Sequence, residues 1–495
     1  MKSGVVDIPV RKNDEIEMSF TDLGDKGEGI GRYKGFTVMV PGALPGEIAM
    51  VRIVQVRTRF AFGKLIKLIH QSPDRIVPSC PLDGKCGGCQ LGHLSYEGQL
   101  AYKRDKVKQV LTRIGHFTEE EIEAKLAEST LGMKDHGQEG AAYFHYRNKA
   151  QFPVQIVDGK AEAGFYAPRS HRLLPTEDCR IQSEKANELI HEIMNCVRDL
   201  SLSVYDEESG RGLLRHVLIR TSEATGEISV CFVINGKTIP NLDRWKDFMR
   251  THEVTSFALN INTANTNVIL GTQTIAVFGS MEIRDIIDGL TFRISPPAFY
   301  QVNARQMQVL YRKALEFADL SGSETVWDAY CGIGTISLFL SRKAGHVYAV
   351  EIVPEAIENA RVNAKLNQIT NVDFFVGKAE KVIPDLYEKK GVSADVIVVD
   401  PPRAGCDEAL LRTLRQMAPQ KIVYVSCDPA TLARDLDYLC HGSETDGAMY
   451  TLAKAQTVDM FPNTSHVETV CCLYHQKNDF ISVPYEPKDV EYLKK

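Results

Sequence analysis

No run of apolar residues in the 495-residue chain approaches the ~18 that a membrane-spanning helix needs, which excludes a helical membrane protein. The opening Met1-Lys2-Ser3-Gly4-Val5-Val6-Asp7 lacks the apolar centre of a secretory signal, so a cytoplasmic location is the expectation. Cysteine is too sparse for a disulfide scaffold, with 12 in the whole chain. In a cytosolic protein, clustered cysteines point to metal binding or catalysis, and isolated ones are usually small buried apolar residues. An excess of positive charge is also missing. Lys and Arg number 58 against 64 Asp and Glu, a net charge of -6, so basic segments have to be sought one by one. Internal repeats and low-complexity tracts are absent. The 44% apolar and 25% charged residues are those of a soluble globular protein, and the length allows about three domains.

The first stretch, 13–70, reads as short strands punctuated by Gly24, Gly27, Gly29, Gly31, Gly35, Gly42 and Gly46, with β-branched runs such as Thr37-Val38-Met39-Val40. This pattern suits a small β-barrel. No acidic residue lies between Glu47 and Asp74, whereas Arg52, Arg57, Arg59, Lys64 and Lys67 do, with Phe60 and Phe62 among them. Basic side chains meet phosphates and aromatic rings stack on bases. The alternative is a solvated strand face with two core phenylalanines. Residues 71–92 form a cysteine-bearing loop, 95–128 a charged, periodic helical region, and 131–142 an exposed connector. Residues 143–285 mix strands with helices, one over 183–200. From about 290 the chain repeats strand–glycine loop–helix units, with strands over 324–330, 346–351, 373–376, 395–400 and 421–426, the mark of a doubly wound sheet. The tail from 483 has the composition of a poorly ordered segment.

Three motifs fall at the carboxyl ends of these strands, and a fourth heads a later apolar run. Trp327-Asp328-Ala329-Tyr330-Cys331-Gly332-Ile333-Gly334-Thr335 ends a strand in a Gly-x-Gly turn before a helix over 336–342, and Glu351 closes the next strand, in reach of ribose hydroxyls. The third glycine of a dinucleotide site is missing at Ser337, so a nucleoside without phosphates, such as S-adenosylmethionine, fits better. In Val398-Val399-Asp400-Pro401-Pro402-Arg403 two prolines fix a carboxylate at the sheet edge, although an Asp-Pro turn is also a common structural device. Cys427, in Ser426-Cys427-Asp428-Pro429, sits past a strand near a helix start, where a lowered thiol pKa is expected. Glu468 heads the apolar run Val470-Cys471-Cys472-Leu473, surroundings that raise a carboxylate's pKa and suit a base. The alternative is an ordinary edge-strand glutamate.

A fifth pattern, Cys80-x5-Cys86-x2-Cys89 with the distant Cys179, offers four thiolates for zinc or a [4Fe–4S] cluster. Zinc ribbons use two short Cys-x2-Cys pairs, which favours iron–sulfur. The Cys-x3-Cys-x2-Cys spacing of radical enzymes is absent. The segments 143–149 and 211–216, basic with aromatic or apolar neighbours, are candidate RNA surfaces.

Together these residues resemble the RNA 5-methyluridine (uracil-5) methyltransferases over about residues 13–480. Gly27-Glu28-Gly29-Ile30-Gly31-Arg32 and Val40-Pro41-Gly42-Ala43-Leu44-Pro45-Gly46-Glu47 resemble a TRAM domain, and Phe299-Tyr300-Gln301-Val302-Asn303 matches the family's Phe-x-Gln-x-Asn element. The resemblance implies a multidomain α/β chain. A TRAM/OB-like RNA-binding barrel spans 13–72, and a central α+β domain with the cysteine cluster spans 73–289. A Rossmann-like S-adenosylmethionine methyltransferase domain spans 290–482, and the helical region 93–125 packs on it. It also implies that Cys427 is the nucleophile and Glu468 the base, that Gln301, Tyr330, Glu351 and Asp400 bind S-adenosylmethionine, and that Phe299 and Asp400 contact the target base. Cys80, Cys86, Cys89 and Cys179 would ligate a [4Fe–4S] cluster. Thr335 departs from relatives that carry Asn there. The barrel together with the four cysteines resembles the branch acting on large-subunit (23S) ribosomal RNA, and the alternative is the same chemistry on transfer RNA. No membrane association and no obligate protein partner are expected. Two rivals are a catalytically silent RNA-binding assembly factor and an iron–sulfur redox enzyme. The presence of both Cys427 and Glu468 speaks against the first, and the incomplete dinucleotide fingerprint against the second.

Overall fold

The computed structural model describes residues 8–133, 142–442 and 447–476. The opening heptapeptide, most of the connector read at 131–142 and the tail from 483 lie outside the described residues, as do 477–482.

The N-terminal unit is a six-stranded sheet in the order Glu15–Ser19, Ile48–Val56, Phe60–His70, Phe36–Pro41, Glu28–Tyr33, Asp22–Leu23. Alternation along the strands sends Ile16, Met18, Val38, Val40, Val51 and Ile53 into one core. The sheet curls so that its first and fifth strands approach. A Cβ on Gly31 would lie 2.1 Å from the Ser19 carbonyl oxygen, so this crossing needs glycine. Phe60 and Phe62 do not join the core. They alternate with buried Ala61 and Gly63, stand half-exposed on the outer face, and meet edge to face at 5.4 Å.

The central unit is a seven-stranded sheet, ordered Gln273–Phe278, Ser256–Ile261, Ile228–Ile234, Leu214–Thr221, Lys149–Val157, Lys160–Tyr166, Leu173–Pro175. Helices Glu184–Asp199 and Leu242–Thr251 share its core, the second through Trp245 against Phe232 and Phe257. A hairpin, Ile283–Ile287 with Leu290–Ile294, leads to the third unit.

The third unit is a seven-stranded sheet in the order Val372–Val376, His346–Glu351, Thr325–Asp328, Val396–Val399, Lys421–Ser426, Glu468–His475, Tyr450–Val458. The first five strands are mutually parallel and the last two pair antiparallel. Val396–Val399 and Lys421–Ser426 are buried along their whole length, as strands covered by helices on both faces must be. The periodic region after residue 95 forms two helices, Tyr96–Arg113, capped by Ser95, and Glu119–Lys125, started by a capping box between Thr118 and Glu121. Their Val107, Leu111 and Ile122, with Phe117 of the connecting turn, belong to the same apolar core as Trp327, Tyr424 and Leu436 of the third unit. No described helix is long and apolar enough to cross a membrane.

Candidate active site

The carboxyl ends of the parallel strands lie along one edge of the third sheet. After Thr325–Asp328 the chain turns through Gly332 (φ 54°) and Gly334 (φ 86°), and a Cβ on Gly334 would come within 3.2 Å of the Ala360 methyl. Glu351 fixes this turn: its Oε2 accepts from the Gly332 amide at 3.2 Å and its Oε1 from the Val353 amide at 2.9 Å. Asp328, fully buried beneath, accepts from the Ser337 hydroxyl at 2.6 Å, and burial lifts its pKa to about 6. Tyr330 follows half-buried, with burial raising its phenol's pKa. The Thr335 hydroxyl meets the Tyr311 hydroxyl at 3.2 Å.

Cys427 lies directly after Lys421–Ser426. Asp428, not Cys427, caps the following helix Pro429–Cys440, accepting from the Ala430 amide at 2.9 Å and the Thr431 amide at 3.2 Å. The expected lowering of the thiol pKa is therefore corrected. The carboxylate takes the helix's free amides, and the thiol is pushed up to about 12 by burial, then by the charges of Glu468 and Asp400, with Arg403 opposing. Glu468, 2% exposed at the start of Glu468–His475, is raised to about 8 by burial and by Asp400, again opposed by Arg403. Asp400 is raised to about 7 by burial and by Asp328. Cys427, Glu468, Asp400, Asp328 and Arg403 thus form one electrostatic cluster. Both carboxyls exchange protons near neutrality, where a base is most useful.

The Phe-x-Gln-x-Asn segment enters from the hairpin. Phe299 projects outward, 73% exposed, while Gln301 is buried. Asn303 caps helix Ala304–Ala318 and donates to the Met460 carbonyl at 3.1 Å. The Asn148 side chain of the central unit donates to the Gln301 carbonyl at 2.9 Å. Arg403 and Tyr311 were missed as site residues. Arg403 had a signal in the Asp400-Pro401-Pro402-Arg403 run. Tyr311 had none, because its position, where its phenol senses Asp400, Glu468 and Asp328, depends on the packing of a helix remote in sequence.

The cysteine loop lies elsewhere. Among the described residues, no group of three or more His, Cys, Asp or Glu is set at a spacing that would hold a metal ion. The four thiols nonetheless face one another. Cys89 is raised by burial and then by Cys179, Cys86 and Cys80. Cys179 is raised to about 11 by burial, against the backbone amides of Ile181 and Gln182. The Gly88 amide donates to the Cys86 sulfur at 3.3 Å. Thiols and amide donors are the ligand types of a thiophilic metal centre, although their spacing here is not one that holds a metal. This loop also touches the segment that leads to Glu468. The amides of Gln90 and Leu91 each donate to the Asn463 carbonyl at 3.0 Å, and the Asn463 amide donates to the buried Gln99 side chain at 2.8 Å. Tyr96 donates to Asp459 at 2.9 Å, and buried Lys103 pairs with the same carboxylate.

One candidate RNA surface needs correction. In the 211–216 segment, Arg215 and His216 are buried in the central sheet. The Arg215 guanidinium donates to the Asn262 and Ala264 carbonyls at 2.8 Å and covers the Tyr205 ring, so it is committed to packing.

The family model described as tRNA (uracil-5-)-methyltransferase matches residues 96–476, and a TRAM-domain model matches 9–66. A Clostridium tetani protein named only as an uncharacterized RNA methyltransferase is 47% identical over 94% of this chain and 97% of its own length. A similarly named protein of Halalkalibacterium halodurans is 48% identical over 94% and 98%. Among solved structures, the Pyrococcus abyssi tRNA (uracil-54, C5)-methyltransferase in complex with S-adenosyl-L-homocysteine is 26% identical. It superposes with a TM-score of 0.72 over 92% of this chain and all of that one.

Proposed function

The chain belongs to the tRNA (uracil-5-)-methyltransferase family and carries a TRAM domain, so it is an S-adenosylmethionine-dependent RNA methyltransferase. From that premise we propose that it methylates carbon 5 of a specific uridine in large-subunit (23S) ribosomal RNA through a covalent cysteine–uracil adduct. The observation that carries this reading is the single thiol of Cys427 beside two carboxyls, Glu468 and Asp400, that titrate near neutrality. The units of the reading are 13–72, 73–289 and 290–482, in a cytoplasmic setting with no obligate protein partner.

Carbon 5 of uracil is too weak a nucleophile to displace a sulfonium unaided. The Cys427 thiolate adds to carbon 6, and the electron pair of the 5,6-double bond moves into an enolate that makes carbon 5 nucleophilic. Bound S-adenosylmethionine supplies the electrophilic methyl group and a positive charge. Arg403 and protonation of Asp400 favour the thiolate, while Glu468 stays ionised as the base. Glu468 then takes the carbon-5 proton, the double bond reforms, and the pair of the carbon–sulfur bond returns to Cys427. Gln301, Tyr330, Glu351 and Asp400 hold the cofactor, Glu351 at the amide-fixed glycine turn where a ribose fits. Asp400 also orients the uracil edge, and exposed Phe299 meets the base once it leaves its stack, an unstacking that costs a few kcal/mol. Cys80, Cys86, Cys89 and Cys179 are the ligands of a [4Fe–4S] cluster in this reading, and no step passes through it.

Transfer RNA is the second reading, favoured by the named substrate of the Pyrococcus abyssi protein. Transfer of labelled methyl to unmodified ribosomal and transfer RNA, assayed separately with wild type and Cys427→Ala, decides between them. Label recovered as 5-methyluridine in large ribosomal RNA, lost in the variant, is expected. Label in transfer RNA alone overturns the substrate, and a folded protein that labels neither overturns the reading.

A further inference from the structure

The segment that displays Phe299 has little of its own to hold it. It runs from the hairpin at Ile294 to the helix cap at Asn303 without regular structure. Its rigidity comes from groups on other elements, spaced on both sides of the exposed ring. Before it, the Ala298 carbonyl accepts from Arg220 Nη2 at 2.9 Å. After it, the Tyr300 hydroxyl donates to Asp285 Oδ2 at 2.9 Å. The other oxygen of Asp285 accepts from the Ser222 hydroxyl at 2.7 Å and the Ile286 amide at 3.0 Å. Beyond them, Asn148 donates its side-chain amide to the Gln301 carbonyl and its backbone amide, at 2.7 Å, to the Val302 carbonyl. Arg220, Asp285 and Tyr300 are 4%, 3% and 3% exposed, while Phe299 between their attachment points is 73% exposed.

This arrangement is costly. Arg220 is fully enclosed, two of its nitrogens, Nε and Nη1, have no hydrogen-bond partner, and burial lowers its pKa to about 10. A buried charged group is rarely more stable than an apolar residue of similar volume, and one with unpartnered donors less so. Arg220 and Ser222 belong to the central sheet and Asp285 to the hairpin, so the cost is spent on fixing one loop relative to two units. Groups that must meet a substrate within a fraction of an ångström need such support.

We propose that Arg220, Asp285 and Tyr300 are positioning residues for capture of the target base: they hold the backbone on either side of Phe299 so that its ring is presented, ready, to a uridine leaving its stack. The inference rests on the role of Phe299 in the proposed function and adds to it which residues set its geometry.

The test is a double-mutant cycle. Tyr300→Phe removes one oxygen, and Arg220→Met removes the bond to Ala298 while keeping much of the volume. Each is made in the wild type and in Phe299→Ala. Affinity for unmodified ribosomal and transfer RNA transcripts is measured with every protein, and KM and kcat for methyl transfer where transfer occurs. The expected result is a rise of about fivefold or more in the dissociation constant and KM for RNA, with kcat changed less than about twofold, in the wild-type background. In Phe299→Ala the same substitutions then have no further effect. An equal loss in both backgrounds, or none in either, overturns the proposal. If Arg220→Met does not fold, Tyr300→Phe alone decides. A wild-type protein that binds RNA but methylates none fails the functional reading, yet the binding cycle still reads out the inference.

Discussion

Cys427 and the loop bearing Cys89 are two contrasting cysteine regions, and burial raises the thiol in both. Their neighbours differ. Around Cys427 stand two carboxyls that titrate near neutrality and one guanidinium, so protons have places to go and a single sulfur does the bonding. Around Cys89 stand three other thiols and Asp83, with backbone amides turned to the sulfurs of Cys86 and Cys179. Under the proposed function the first arrangement would serve a nucleophile that must bond and leave, and the second a ligand set whose mutual repulsion a cation would relieve. A raised thiol pKa is therefore no label of function; the company the thiol keeps is. The regions are not independent either, because Gln90 and Leu91 hold the Asn463 carbonyl on the chain segment that runs to Glu468.

The largest expected effect separates the two regions outright. Cys427→Ala loses methyl transfer by at least about 10^4-fold, the scale seen when a covalent nucleophile is removed, with RNA affinity and any iron-dependent absorbance unchanged. Residual transfer within tenfold of wild type would break the comparison, since another group would then be doing the bonding. Cys86→Ser probes the other side. Loss of bound iron and visible absorbance is expected, with transfer falling by roughly 10–100-fold rather than vanishing, the range that outer supporting groups carry. The loss reaches the reaction through the Asn463 contact. Unchanged transfer and metal content in Cys86→Ser would show that the four thiols are neither ligands nor supports.

These contrasts were unevenly legible in the sequence. The doubly wound sheet could be read because Val396–Val399 and the centre of Lys421–Ser426 are apolar and lead into acidic or cysteine-bearing turns. The outward aromatic face of the barrel was half legible. Alternation of Phe60 and Phe62 with Ala61 and Gly63 fits either facing, and only the closeness of the strand bearing Val51 behind Gly63 decides it. The four thiols could be collected from their spacing and from resemblance, but their contact with the Asn463 segment joins residues hundreds of positions apart and leaves no local trace. The Cys427 pKa was misjudged for a related reason. Strand and helix boundaries suggested a helix amide beside the sulfur, but Asp428 occupies that cap, burial dominates the shift, and the carboxyls that add to it come from two other strands. Arg215 and His216 failed as an RNA surface because a basic pair on a strand reads alike whether or not both faces of the sheet are covered.

The smallest expected effect tests the carboxyl that gives the Cys427 region its character. Glu468 titrates at about 8 in the folded protein, well above the 4.5 of a free glutamate, because burial and Asp400 disfavour its charge. The folded state thus holds this proton more tightly than the unfolded chain. Its contribution to stability is intact below about pH 4.5 and is lost as pH climbs to about 8, an effect of at most a few kcal/mol. Glu468→Gln keeps the shape and cannot ionise, so it escapes that loss. The melting temperature of the variant relative to wild type should be near level at pH 5 and higher by several degrees at pH 8.5. Turnover is lost in the same variant, because the carbon-5 proton has no acceptor, while the cysteine–uracil adduct accumulates. Asp400 shifts in the same direction, and because its charge and that of Glu468 repel each other, Glu468→Gln also eases Asp400 ionisation and adds to the variant's advantage at high pH. A melting difference that does not change with pH would mean Glu468 ionises as an ordinary edge-strand glutamate does. The Cys427 region would then lose the neutral-range base that distinguishes it from the four thiols.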